Sequence, residues 1–498
     1  MTLCTLSALL LASPFAADLL GLTARLVPLL SEAGRLIRQF RAAGPSPEGT
    51  ARFEQELQRL AREVCREVVA WVYNHLEPDD AAQMPARLGW QGEWYRRRAK
   101  SPCRALDTLF GTVTLWRYRY EALEAGLRSI FPLDIRLGVE AGRATPALAE
   151  RVGRYTAEGT QQAVLAALRR EHGVSWSVST LRRVVAALSA ALAERRAEAQ
   201  ASRLLDLLRQ AEASPGRHRP TLSVGRDGVF VPLRGPAPWR EGATATVSVL
   251  DRRGQRLGTV YLGRMPEAGQ ATLSAQLTAL LAEVLRRYDG PTPRLEYVTD
   301  GGHHPSAYYD EVLRRMEDPR RPGRRLAWVR VIDFYHACQY VGKLAEALFG
   351  PGPEAQAWAA KMRRWLRDKR HGAYRVLHSA AALYARWELT EAADRAYQAA
   401  YDYLRKRLRF LDYAAYRSQG LAIGSGVTEA ACKTVFTQRL KQSGMSWQIE
   451  GGQAVLDLRV LALSGIWEEV HQAYLASRPQ PQPRTGAPNS RKQAEIAA

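Results

Sequence analysis

Three carboxylates in the second half of the chain stand where they could act together on a phosphodiester. Asp227 lies inside a strand-like run, Asp300 ends another, and Glu429 lies in the first turn of a predicted helix. A carboxylate in a core strand is costly unless it binds a cation. Hard divalent cations take oxygen ligands, and two such ions about 4 Å apart can activate an attacking oxygen and stabilise a leaving oxygen. The acids therefore predict a site for two Mg²⁺ or Mn²⁺ ions.

Each acid alone has an ordinary structural explanation. Asp227 could be a salt-bridged strand residue and Asp300 a turn residue, while Glu429 suits the positive end of a helix dipole. The placement of all three on the predicted fold favours metal ligation over these separate explanations.

The elements that would position the acids follow in a definite order. The runs at 222–233, 243–250 and 256–262 predict three antiparallel strands, and helix and strand then alternate up to residue 348. This is the order of an RNase H-like domain with a mixed sheet, in which the first and fourth strands are parallel neighbours. Asp227 and Asp300 would meet at one edge of that sheet. A last helix at 427–443, which carries Glu429, would pack across it.

Changes in pattern divide the whole chain into seven ranges. They are an N-terminal helical region (1–90), a basic β-hairpin region with Gly111 in its turn (91–140), a helical region with a candidate helix-turn-helix (141–212), the first part of the RNase H-like core (221–350), an all-α insertion (351–418), the final helices of the core (419–477) and a disordered tail (478–498). The expected fold class is a mixed α/β RNase H-like core with a helical insertion, preceded by a mainly α-helical region that carries a small β-hairpin. The candidate helix-turn-helix could equally be a packed helical hairpin.

Composition and charge point to a globular protein with a polyanionic partner. The 498 residues are 46% hydrophobic and 24% charged, which excludes wholesale disorder and fibrous classes. Lys and Arg number 71 against 50 Asp and Glu, which gives a net charge of +21 and favours nucleic acid. The predicted DNA-binding residues are Arg96, Arg97, Arg98, Lys100, Arg117, Arg182, Arg183, Lys433, Arg439 and Lys441.

The cysteines and the apolar start bear on the compartment. The five cysteines form no C-x-x-C pair, so neither a disulfide scaffold nor a cysteine-rich zinc finger is indicated. The apolar stretch from Leu3 to Leu22 has no basic residue ahead of it, which favours a helical hairpin or an interface over a signal peptide. We expect a cytoplasmic, nucleoid-associated protein without a membrane partner.

Several blocks resemble a known family. The block GLAIGSGVTEAACK at 420–433, continued by QRLKQSGMSW at 438–447, closely resembles the C-terminal signature of the Kra-type insertion-sequence transposases, which are DDE enzymes related to the Mutator-like superfamily. Residues 331–337, the strand around 227–228 and residues 142–146 resemble other blocks of that family. The similarity therefore extends over most of the chain.

The resemblance implies DNA transposition by a cut-and-paste or copy pathway. It implies binding of terminal inverted repeats, two-metal phosphodiester hydrolysis and strand transfer, with Asp227, Asp300 and Glu429 as the catalytic triad. Related enzymes carry a Cys or Asp and a His just after the second acid, so Asp333 and His336 are expected to support the site. Asp333 could instead be the second acid. The implied partners are the double-stranded DNA of transposon ends and target, bound by a homodimer or larger assembly.

Other functions fit parts of the pattern. A structure-selective nuclease or resolvase on the same core would cut branched DNA without joining strands. A domesticated, non-catalytic DNA-binding protein is a third hypothesis, although all three acids are present. A two-carboxylate carbohydrate hydrolase would give no reason for the charge of +21.

Overall fold

A computed structural model describes residues 16–102 and 105–481. The predictions for residues 3–15, for Cys4 and Cys103 and for the tail from residue 482 onward fall outside the described residues. The chain divides into two compact units, one with the described residues up to Leu188 and from Tyr474, and the other with Ser189–Ala473. No helix in the described part of the chain is both long and apolar enough to cross a bilayer.

The first unit combines helices with two small sheets. Its helices are α1 (Ala16–Ala43), α2 (Pro47–Asn74), α3 (Pro132–Arg136), α4 (Pro146–Glu158), α5 (Gln161–His172) and the start of α6 (Val178–Glu212). Strands β1 (Arg87–Trp90), β2 (Glu93–Pro102) and β5 (Trp116–Ala122) form an antiparallel sheet in the order β1-β2-β5, and β3 (Leu106–Thr108) pairs with β4 (Gly111–Val113). Helix α5 ends at Gly173, whose φ of 65° closes the helix in the left-handed conformation that glycine adopts without strain.

The predicted small β-hairpin is present at β3–β4, but the run at 93–120 does not form one basic hairpin. The run at 112–120 splits between two sheets because its apolar residues enter two separate clusters. Val113 and Leu115 pack with Leu106 and Leu133, whereas Tyr118 and Tyr120 pack with other residues, among them Leu88. Gly111 does follow a turn, but the turn belongs to the short β3–β4 hairpin.

Buried Asp107 ties the segment before α4 to the turn before α6. Its carboxylate pairs with Arg143 at 2.5 Å and accepts the indole N–H of Trp176 at 2.6 Å. A buried charge needs such partners, since an unpaired one would be expensive. The contact fixes the turn between α5 and α6, the two helices of the candidate helix-turn-helix.

The second unit is built on a five-stranded mixed sheet. Its strands are β6 (Thr221–Pro232), β7 (Trp239–Leu250), β8 (Arg256–Arg264), β9 (Arg294–Thr299) and β12 (Trp328–Ile332), in the order β12-β9-β6-β7-β8. Strands β6, β7 and β8 are antiparallel neighbours, whereas β9 runs parallel to both β6 and β12. The predicted mixed α/β class is confirmed. A small hairpin that was not predicted joins β10 (Glu317–Asp318) and β11 (Arg321–Arg325).

Apolar residues of β6 explain how this sheet is covered. Leu222 and Val224 lie on one face, where they join a core with the end of α6 and with α7 (Ala271–Arg287) and α8 (His303–Glu311). Val231 lies on the opposite face, in a cluster that contains Phe436 and Leu456 from the last helices. Successive side chains of a strand point to opposite faces, so residues 222 and 224 lie on one face and residue 231 lies on the other.

Helices fill residues 353–418. They are α10 (Pro353–Asp368), α11 (Gly372–Tyr384), α12 (Glu391–Arg407) and α13 (Tyr413–Ser418), and they share a core with α9 (Phe334–Phe349).

The final helical segment differs from the predicted single helix at 427–443. It consists of α14 (Gly426–Ala431), a π-helix (Cys432–Thr437) and α15 (Gln438–Leu440), followed by α16 (Ile449–Leu463) and α17 (Trp467–Ala476). The wider π turn lets Val435, Phe436 and Leu440 all enter the apolar cluster. The segment ends at Leu440, whose carbonyl accepts the indole N–H of Trp447 at 2.9 Å.

The predicted disordered tail begins too early. The guanidinium of Arg478 pairs with the carboxylate of Glu140, which is buried.

Candidate active site

A small cavity at one edge of the five-stranded sheet gathers the predicted acids. It has a volume of about 140 Å³ and is lined by Arg226, Asp227, Asp300, His336, Ser425, Thr428 and Glu429. Asp227 and Asp300 are half-buried, whereas Glu429 is exposed at the rim. The structure thus brings the three carboxylates to one place.

Strand register explains how the two aspartates meet. Strands β6 and β9 pair in parallel from Thr221 opposite Arg294 to Gly225 opposite Val298. Asp227 and Asp300 each come two residues after that last pair, so they share a level and a face at the edge where the two strands separate.

Gly225 allows the helix that carries Glu429 to lie directly on the sheet. A Cβ at position 225 would collide with Thr428 Oγ1. That hydroxyl also forms a hydrogen bond of 2.8 Å with Thr246 Oγ1 on β7. Helix α14 is therefore fixed against two strands, one residue before Glu429.

Asp227 accepts a hydrogen bond from a thiol, and its surroundings disfavour its negative charge. Cys432 Sγ donates to Asp227 Oδ2 at 3.2 Å, and the backbone N–H of Gly228 donates to Oδ1 at 2.7 Å. Burial raises the pKa of Asp227 to about 6 against these two donors, with a further contribution from the charges of Asp300 and Glu429. Burial, followed by the charge of Asp227, also raises the pKa of the Cys432 thiol, which stays protonated.

The loop after Asp300 is braced by the helical segment at 353–418. Tyr403 on α12 donates its hydroxyl to the backbone oxygen of Asp300 at 2.7 Å, and Arg407 donates to the oxygen of Gly301 at 2.9 Å. The Asp300 carboxylate accepts the N–H of Gly302 at 2.8 Å. The second acid is therefore oriented by contacts on both sides of its peptide.

Asp333 has a different environment from Asp300. It is fully buried at the start of α9, where its carboxylate accepts the backbone N–H of His336 at 2.6 Å. It also accepts the backbone N–H of Ser425 and, at 2.9 Å, the Ser425 hydroxyl. Asp333 is not among the residues that line the cavity, whereas His336 is. This geometry favours Asp300 as the second acid and a supporting role for Asp333.

The carboxylates are oxygen donors of the kind that hard cations prefer. The repulsion that contributes to the raised pKa of Asp227 is also one that a bound cation would relieve. Within residues 16–102 and 105–481, however, no group of three or more His, Cys, Asp or Glu side chains is arranged so that it could hold a metal ion. The carboxylate oxygens are therefore chemically suited to divalent cations, but their arrangement forms no such group. The two-ion site stays a prediction.

The predicted DNA-binding residues fall into distinct environments. Several are exposed, namely Arg96, Arg98, Arg182, Arg183 and Lys433. Lys100 pairs with Asp79 at 2.7 Å, Arg97 donates to the carbonyls of Ala81 and Met84, and the ammonium of Lys441 lies 5.6 Å from the ring centroid of Trp239.

Two of these predictions are contradicted by burial. Arg439 is 1% exposed and lies over the ring of Trp447, and burial lowers its pKa to about 10. The side chain of Arg117 is 11% exposed, pairs with Asp134 at 2.6 Å and stacks on Phe131. Neither guanidinium can reach a phosphate, because both are used in packing.

Several residues that contact the predicted acids were not predicted from the sequence. The spacing of three between Glu429 and Cys432 places both on one helical face, so it could have indicated the thiol. Ser425 was not predicted as a site residue, and its hydroxyl lies 2.9 Å from Asp333 Oδ2 and 3.0 Å from Glu429 Oε1. Tyr403 and Arg407 had no local signal, since they approach the site only through the tertiary fold.

Comparison with known proteins gives one distant likeness. No family model matches the sequence. A protein of Streptococcus gallolyticus named "UPF0236 protein in vanSb 3'region" is 23% identical over 454 residues, which cover 88% of this chain and 87% of that protein. The likeness extends over nearly the whole of both chains, and the relative's name states no activity.

Proposed function

We propose that the protein is a DNA transposase of a bacterial insertion sequence, with an RNase H-like catalytic core. The observation that carries the proposal is the cavity shared by Asp227, Asp300 and Glu429. The strand order β12-β9-β6-β7-β8, with β9 parallel to its two neighbours, supports the RNase H-like assignment. The resemblance of the blocks around Asp227 and Glu429 to Kra-type transposases supports the activity.

The residues of the cavity have separate tasks in this proposal. The three acids would hold the divalent cations, which supply charge neutralisation and activation of the attacking oxygen when bound. Cys432 keeps Asp227 in one orientation, and the Ser425 hydroxyl, shared between Asp333 and Glu429, lies 3.0 Å from Glu429 Oε1. Tyr403 and Arg407 keep the Asp300 loop in place. His336 faces the same cavity and positions the DNA backbone beside the acids.

Charge supports DNA as the substrate. The net charge of +21 favours a polyanion, and Arg182 and Arg183 are exposed on the second helix of the candidate helix-turn-helix. In this proposal the protein binds its terminal inverted repeats as a homodimer or larger assembly and joins the freed 3′-hydroxyls to target DNA.

Cleavage by variants of the acids tests the proposal. The substrate is a plasmid that carries the DNA flanking the coding region, incubated with Mg²⁺ or Mn²⁺. Asp227→Asn, Asp300→Asn and Glu429→Gln should each lower the cleavage rate by more than the roughly 100-fold that loss of an outer ligand-orienting group costs. Asp289→Asn, a change to a surface acid, is the matched control and should cut as the wild type does.

The same assay decides between close alternatives. Asp333→Asn should lower the melting temperature and leave measurable cleavage, because Asp333 anchors α9 and Ser425 from outside the cavity. Wild-type cleavage by any of the three cavity variants would contradict the assignment of that acid. Products that are cut but never joined would indicate a nuclease or resolvase.

A further inference from the structure

The strand that carries Asp227 continues into a hairpin whose end exposes two aromatic side chains. Phe230 is 58% exposed, and Trp239, at the start of β7, is 54% exposed. Pro232 pairs with Trp239 and Phe230 pairs with Glu241, so both aromatic side chains belong to one face as diagonal neighbours. Diagonal neighbours of this kind are about 7–8 Å apart, within reach of one ligand.

Two basic residues lie at this end of the hairpin. Arg234 lies in the turn that joins the strands and is exposed, whereas Arg240 pairs with Val231 and points to the opposite face. The Lys441 ammonium lies 5.6 Å from the centroid of the Trp239 ring. The nearby acid, Glu241, folds back over Gly228, where a Cβ would collide with its carboxylate. The hairpin end therefore combines two apolar rings with two cations, Arg234 and Lys441, a surface complementary to an anionic ligand with flat apolar groups.

Unpaired nucleotides have this combination of properties. Their bases stack on aromatic rings and their phosphates pair with Lys and Arg, whereas a base inside a duplex offers no free face. A peptide partner would use the rings but would need acidic residues to match the cations.

Asp227 lies three residues before Phe230 on β6, so the two side chains point to opposite faces of the strand. The surface formed by the two rings is therefore separate from the cavity.

We propose that Phe230, Trp239, Arg234 and Lys441, here called the aromatic tip, bind unpaired nucleotides. The two rings stack the bases, and the two cations hold the backbone. That these nucleotides belong to the DNA substrate rests on the proposed function, whereas the preference for unpaired bases can be measured without any cleavage.

Binding of labelled oligonucleotides in EDTA tests the aromatic tip. The probes are a fluorescein-labelled single strand of about 20 nucleotides and the blunt duplex of the same sequence, at about 150 mM salt. Trp239→Ala should weaken single-strand binding about 5- to 150-fold and duplex binding by less than about twofold. The difference arises because only unpaired bases can stack on the indole ring. Trp239→Phe should retain most of the affinity, and Phe230→Ala should behave as Trp239→Ala does.

Two controls make the result specific. Tyr374→Ala removes a 60% exposed aromatic side chain from α11 and should bind both probes as the wild type does. Arg234→Ala should lower the salt slope of single-strand binding by about 0.7, whereas Trp239→Ala should leave the slope unchanged because it removes no phosphate contact. Thermal unfolding of each variant checks that it folds.

Three results would overturn the inference. They are unchanged single-strand binding by Trp239→Ala, equal weakening toward the single strand and the duplex, and a change in self-association with no change in DNA binding. Failure of the proposed function is a separate outcome. Wild-type protein that binds single strands through Trp239 but cuts no phosphodiester would remove the transposase proposal and leave base stacking in place.

Discussion

At the scale of single residues, the second unit contains charged groups in surroundings that disfavour their charge. Burial raises the pKa of Asp227 to about 6 and that of Glu296, in the middle of β9, to about 8. Asp227 lines the cavity, where in the proposed function its charge would bind a cation. Glu296 is fully buried beside Ser223 and the backbone of Ala422, so its carboxyl group is neutral at pH 7.

Glu296 predicts that the protein loses stability as the pH rises from about 4.5 to about 8. Its pKa is about 8 when folded and about 4.5 when exposed in the unfolded chain, so the folded state holds the extra proton between these values. Its contribution to the free energy of unfolding is complete below about pH 4.5, falls as the pH rises toward 8 and is lost above it. Glu296→Gln should remove this slope and raise the melting temperature at about pH 8.5 by about 3 °C or more, with little change near pH 5. An unchanged pH slope in calorimetry of the variant would contradict the prediction.

Cys432 predicts an effect on turnover rather than on DNA binding. Its thiol orients Asp227, so Cys432→Ala should lower kcat for cleavage about tenfold and leave KM for DNA unchanged. Cys432→Ser keeps a donor at the same position and should stay within about threefold of wild type. A parallel loss in both variants would point to a packing role.

At the scale of elements, the sequence contained the order of strands but not the adjustments between them. Asp227 and Asp300 could be placed at one sheet edge because strand order and alternation are local patterns. The π-helix after Glu429 could not be predicted, since it depends on how Val435 and Phe436 fit a core made by distant segments. The burial of Arg439 could not be predicted for the same reason. A basic residue near a helix end is ordinarily exposed, and only contacts with distant segments bury this one.

The close contact of α14 with β6 predicts a large effect of one methyl group. Gly225→Ala should lower the free energy of unfolding by about 1–3 kcal/mol, because the added Cβ collides with Thr428 Oγ1. Removing that hydroxyl in Gly225→Ala/Thr428→Ala should recover part of the loss in denaturant unfolding. Gly426→Ala is the matched control in the same helix, since its Cβ would meet nothing within 4 Å and should change stability by less than about 0.5 kcal/mol. Additive effects of the two changes would refute the predicted collision.

At the scale of the whole molecule, the net charge of +21 indicates a polyanionic partner but not the residues that meet it. Arg117 and Arg439 count toward the total and yet are used inside the fold, whereas Arg182 and Arg183 face solvent. Salt dependence can distinguish these two groups, because only residues that neutralise phosphates release counterions.

The salt slope of duplex binding should therefore separate the arginines. Arg182→Ala and Arg183→Ala should each weaken binding and lower the slope by about 0.9, without a change in melting temperature. Arg117→Ala and Arg439→Ala should lower the melting temperature and leave the slope of the folded protein unchanged. A full slope in the Arg182→Ala/Arg183→Ala double variant would mean that other basic residues carry the phosphate contacts.

The two contacts from α12 to the Asp300 loop limit how the segment at 353–418 can drift during evolution. Tyr403 and Arg407 each donate to the main chain of the loop that carries the Asp300 carboxylate. Descendants that keep the chemistry should therefore retain a phenol and a long cation at these two sites, even where the surrounding helices have become unrecognisable.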